Sequence, residues 1–130
     1  MKKFINSFKY AIKGFIHCIK NERNFRIHVI VAILVIGIAL FLELSTYEYI
    51  LILLAVALVL ICEMINTAIE RTIDAITECS VDCETEKLDG LRKVAKDVAA
   101  GAVLISAWFA VCVGVIIFGE RVFELIRGAF

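Results

Sequence analysis

The sequence predicts an all-α integral membrane protein of one domain. An N-terminal amphipathic interfacial helix leads into three transmembrane helices. Three observations predict this. The 130 residues are 62% hydrophobic, with a mean hydropathy of +0.91. Soluble domains are nearer half apolar, and a chain this small cannot hide that much apolar surface in one core. The apolar residues gather in three long runs separated by charged links. No proline interrupts any of them, so each can continue as helix.

The first element covers residues 4–20. Phe4, Phe8, Ala11, Ile12, Phe15, Ile16 and Ile19 recur at helical spacing, with Asn6, Lys9, Lys13, His17 and Lys20 opposite. A Phe-rich face backed by lysines is the pattern of a helix lying in the membrane interface. These residues lack a continuous apolar core and a small-residue cleavage site, so no cleaved leader is expected. The first span is predicted over 26–44, where Val29 to Leu42 is wholly apolar or glycine. The second is predicted over 48–78. Its apolar run, Tyr49 to Cys62, is short, so the helix must continue through Glu63 into a cytoplasmic extension. The third is predicted over 95–118, with Ser106 its lone hydroxyl.

Lysine and arginine placement sets the orientation. Seven of the 14 basic residues lie at or before Arg26, where the first span begins, and five run from Arg71 to Lys96. The link "ELSTYE" has none. The N-terminus and the second link are therefore expected in the cytoplasm, and the first link outside. Arg121 and Arg127 then fall outside, against the rule, partly offset by Glu120 and Glu124. The net charge is zero, and no nucleic-acid partner is expected. Five scattered cysteines include one CxxxC pair, Cys79 and Cys83. With no third ligand in view, structural zinc is not expected.

The second span ends in "CEMINTAIERTID". Glu63, Asn66, Glu70 and Asp74 are spaced 3, 4 and 4, so a helix sets them on one stripe. Asp74 reads equally well as a solvated residue past the membrane edge. Glu63, bounded by "LVLIC" and "MI", does not. Facing lipid near the bilayer centre, it would cost roughly 2–3 kcal/mol or more, so such residues usually face a bundle interior and mark function. Two further polar groups belong on the same side: Glu22, Asn24, Arg26 and His28 before the first span, and Lys96 and Asp97 opening the third. One locus could collect Glu22, Glu63, Asn66, Glu70, Asp74, Lys96 and Asp97. Paired carboxylates suit a hard cation such as Mg²⁺. A lysine suits phosphate, and a deep carboxylate can accept a proton from an alcohol. Metal-assisted phosphoryl transfer at a membrane surface fits these residues. A small oligomeric proton- or cation-coupled transporter uses the same types, and the residues alone leave both open. No GxxxxGK[ST] loop or protein-kinase motif set is present.

"NERNFRIH", "EMINTAIERTID" and "AKDVAAGAVLI" resemble, in order and topology, the prokaryotic diacylglycerol kinase family, and in detail its Gram-positive undecaprenol kinase branch. The similarity runs from about Phe8 to Phe118. It implies a single membrane kinase domain over 1–130, assembled as a homotrimer in the bacterial plasma membrane. Active sites would be shared between subunits on the cytoplasmic side, with γ-phosphate passing from MgATP to a lipid alcohol. Undecaprenol is the expected acceptor and diacylglycerol the alternative. Both present one hydroxyl and apolar tails, so physics does not separate them. By position, the resemblance makes Glu63 the proton acceptor and a substrate contact, and Ala100 a lipid contact. Glu22 and Glu70 become metal-binding and nucleotide-binding glutamates. Tyr10, Lys96 and Asp97 become nucleotide contacts, and Asn66 and Asp74 polar groups the activity needs. The family's histidine-bearing link before the K-D pair is replaced here by the longer "ECSVDCETEKLDGLR". Glu86 and Lys87 are the candidates for the contact that histidine makes.

Overall fold

A computed structural model of the chain describes residues 2–42, 44–79 and 86–128. They form four helices: α1 (Lys2–Asn21), α2 (Arg23–Phe41), α3 (Thr46–Cys79) and α4 (Glu86–Gly128). Three of them, α2, α3 and α4, are long and apolar enough to cross a membrane. At 1.5 Å per residue, α3 is about 51 Å long and α4 about 65 Å. Both exceed the ~30 Å of a hydrocarbon core, so each carries polar turns beyond its apolar run. Nothing in "EKLDGLRKVAKD" or "GERVFELIRG" breaks a helix, which is why α4 extends on both sides of the 95–118 run.

The break between α1 and α2 needs neither proline nor glycine. Glu22 takes an extended conformation, φ −104° and ψ 116°, and the carbonyls it strands at the end of α1 find side-chain donors. Arg26 Nη1 donates to Ile19 O at 3.2 Å and Lys20 O at 2.9 Å, and Asn21 Nδ2 donates to His17 O at 3.0 Å. Basic and amide side chains commonly satisfy the orphan carbonyls of a helix end this way. Phe25, fully buried, seals the corner, edge-on to Phe15 with ring centroids 5.4 Å apart.

The long pair α3 and α4 pack along each other, with α2 laid against α3. Ala39, Ile52 and Ile117 form the core where the three meet, flanked by Val35, Val56 and Val113. The other buried positions are mostly small, among them Ala32, Ala55 and Ala99. Small residues let helix backbones approach where lipid provides no hydrophobic drive. Two ion pairs tie α3 to α4. Arg121 Nη2 meets Glu48 Oε2 at 2.8 Å at one end, and Lys96 Nζ meets Asp74 Oδ1 at 2.5 Å towards the other. The Arg121 that stood against the charge rule is thus neutralised by a glutamate of the first link. Most large apolar side chains of the spans face outward.

Candidate functional site

The polar stripe of α3 turns inward, towards the α1–α2 corner and α4 that pack against α3. Glu63 is 3% exposed and Asn66 8%, with Thr67 also buried. Helical spacing puts these on the face that carries Glu70 and Asp74, one and two turns further on. Burial falls along the stripe, so that Glu70 is half-buried and Asp74 exposed. The Glu63 carboxyl lies within electrostatic range of His28, Glu70 and Glu22. Two elements thereby bring the α1–α2 corner to α3. Asn66 Nδ2 donates to Glu70 Oε1 at 3.0 Å, which fixes that carboxylate. Its own Oδ1 is buried and has no partner, an acceptor held ready for a donor or a cation. Arg71 Nη2 donates to Glu22 Oε1 at 2.7 Å across 49 residues of sequence. Lys96 of α4 closes the group through Asp74.

Six of the predicted residues are linked there: Glu22, Glu63, Asn66, Glu70, Asp74 and Lys96. Ala100, four residues beyond Lys96, is exposed on α4. Asp97 is exposed, about 100° around α4 from Lys96. Tyr10 is 68% exposed on α1, twelve residues and about 18 Å of helix from Glu22, and it is not brought to the site within one chain. Lys87 is exposed at the start of α4. Nine residues from Lys96, it lies on the opposite face of that helix. Glu86 is the first residue of α4, and its side chain lies outside the described residues, as do Asp82, Cys83 and Glu84. Three residues near the site were not singled out from sequence. Thr67 was readable, since it follows Glu63 by four. Cys18 of α1, hydrogen-bonded to Thr67, and Arg71, paired with Glu22, gave no local signal, because those partners are remote in sequence.

The oxygen-rich donor set suits a hard cation. Among the described residues, no three His, Cys, Asp or Glu side chains form a cage that could hold a metal alone. Mg²⁺ rarely uses one. It takes one or two carboxylates and completes its shell with water and substrate phosphates. Glu22 and Glu70, the latter beside Asn66 with its unpaired Oδ1, fit that pattern. An apolar groove of about 570 Å³ runs below the site between α2, α3 and α4. His28, Val59 and Leu60 line it, the last two a turn before Glu63.

Residues 9–118 match the sequence profile of prokaryotic diacylglycerol kinase. The chain belongs to the prokaryotic diacylglycerol kinase family. With its three long apolar helices, this membership marks a membrane protein. Among its relatives in the family is the protein of Synechocystis named diacylglycerol kinase, 39% identical over 83% of this chain. The chain spans 58% of that relative's length. The undecaprenol kinase of Bacillus subtilis is 36% identical over 91% of this chain and 89% of its own. The diacylglycerol kinase of Haemophilus influenzae is 34% identical over 92% of this chain and 91% of its own.

Proposed function

We propose that the chain is a lipid kinase that transfers the γ-phosphate of MgATP to the hydroxyl of a membrane lipid alcohol, undecaprenol. The observation that carries this is a carboxyl, Glu63, buried in an apolar helix one turn from Asn66 and two from Glu70, with Lys96 joined to the same stripe. Glu63 takes the proton from the lipid hydroxyl, whose oxygen attacks the γ-phosphorus while ADP leaves. The groove at the foot of Glu63 accepts the apolar chain of the lipid. Lys96 stabilises the charge that develops on the phosphoryl group, and Asp74 holds Lys96 in place. Asn66 keeps Glu70 oriented. Held by Glu22 and Glu70, Mg²⁺ would neutralise the polyphosphate. Tyr10, Asp97, Glu86 and Lys87 complete the nucleotide contacts, and Ala100 the lipid contact.

The site faces the cytoplasm of a bacterial plasma membrane, because the basic residues lie on that side and ATP is there. The protein works as a homotrimer. Only 11% of the apolar window of α4 is buried within one chain, and Tyr10 can reach a site only on a neighbour. The lean to undecaprenol rests on the resemblance of "KDVAAGAV" and "ERNFRIH" to the undecaprenol kinase branch, since relatives of both names match this chain over nearly its full length. The test is radiolabelled ATP supplied to the purified protein in micelles with undecaprenol, diacylglycerol or ceramide. Label is expected on undecaprenol. Preferential label on diacylglycerol changes the substrate, and no label on any lipid, with ion flux instead, favours a transporter.

A further inference from the structure

Arg71 has no task in the mechanism above, yet it stands among the acids of the site. Its one partner among the described residues is Glu22, and Asp74 and Glu70 act on it at longer range. An exposed ion pair of this kind adds little to stability, so holding the fold is a poor reason for it. A guanidinium has five donors in a planar fork suited to phosphate. Only one of them is engaged here, and the side chain is 58% exposed. The carboxylate it occupies is one a cation would need. Beside Glu70, the Oδ1 of the buried Asn66 also has no donor, an independent sign that this face takes a ligand.

We propose that Arg71 is a charge-exchange residue: it holds Glu22 while the site lacks nucleotide, yields that carboxylate to Mg²⁺ when MgATP enters, and turns its guanidinium to the polyphosphate. This rests on the kinase reading. Two consequences follow from one residue. Arg71 competes with a metal for Glu22 when nucleotide is absent, and it helps hold the nucleotide when nucleotide is present. A residue that only braced the corner would do neither.

The experiment titrates Mn²⁺ into purified wild-type protein, Arg71→Gln and Arg71→Lys in micelles without nucleotide, followed by electron paramagnetic resonance. The KM for ATP and for lipid is then measured on the same samples. Arg71→Gln should bind Mn²⁺ about three- to tenfold more tightly and raise the KM for ATP by a similar factor, the scale of one charge-assisted contact. The KM for lipid should not move. Arg71→Lys keeps the charge but loses the fork, and should shift both quantities in the same direction by less. It decides the matter should the glutamine variant not fold. Unchanged or weaker Mn²⁺ binding, or an unchanged KM for ATP, overturns the exchange. A wild-type protein that labels no lipid overturns the kinase reading instead, and the role of Arg71 with it.

Discussion

At the scale of single residues, the site is a gradient of burial along one helical stripe. Glu63, deepest, is buried between the helices. Asp74, three turns on, meets water. Replacing Glu63 with glutamine keeps its shape and removes its ability to accept a proton. Transfer from ATP to lipid should drop about 100-fold or more, while the variant elutes from size exclusion like the wild type. Turnover near the wild-type level would remove Glu63 from the reaction. Cys18 behaves differently. Burial, and then the nearby Glu22 carboxylate, push its thiol up from the ordinary value. Only the thiolate reacts with maleimide, so Cys18 should stay unlabelled at pH 7.5 in the folded protein and label readily in SDS, as mass spectrometry can read. The unfolded chain ionises this thiol at a lower pH than the folded one. The stability tied to it is therefore whole below about pH 8.5 and lost as pH rises beyond. The stripe itself was legible in the sequence, because 63, 66, 70 and 74 follow the helical period. The partners were not. Arg71 finds Glu22 across 49 residues, and periodicity within one segment holds no information about another.

At the scale of elements, the corner between α1 and α2 decides where Glu22 stands. Arg26 carries that corner by donating to two carbonyls of α1. In Arg26→Met both would lose their donor, at a cost of roughly 1–2 kcal/mol. A lower melting temperature in detergent is expected, along with faster amide hydrogen exchange over residues 18–24. Exchange unchanged there would show that the corner is held by Phe25 packing alone. The three spans were readable because each is a long run of apolar residues, and composition alone sets them apart. The break at Glu22 left no mark of the usual kind, neither glycine nor proline. It depends on a cation one turn into the next helix. The continuation of α4 to Gly128 was hidden for the opposite reason. Hydropathy ends at Phe118, whereas helix propensity does not.

At the scale of the whole molecule, one chain leaves most of its large apolar side chains facing outward. Its spans present Leu104, Ile105, Trp108 and Ile116 outward, and its Tyr10 lies far from its own carboxylates. Three copies per particle are expected in analytical ultracentrifugation of the micelle-bound protein. Subunits bearing Glu63→Gln, mixed with subunits bearing Tyr10→Ala, should recover part of the lost activity if sites are shared. A single copy per particle would refute the assembly.

The two ion pairs that join α3 to α4 have a consequence of their own. From Glu48 to Asp74 is 26 residues of α3, and from Lys96 to Arg121 is 25 of α4, about 39 and 38 Å of helix. Two rods of nearly equal length are pinned at both ends, and the span between the pins exceeds a hydrocarbon slab by several ångströms, which leaves the pins at headgroup level. In a bilayer the pair would gauge its thickness. A thicker or thinner slab must tilt both rods together or pull a pin into oil, and the inner pin is the one that holds Lys96. Turnover should therefore pass through a maximum as host lipids are lengthened from 14 to 22 carbons per acyl chain. Unpinning the far end with Glu48→Gln should flatten that maximum while leaving the residues around Glu63 untouched.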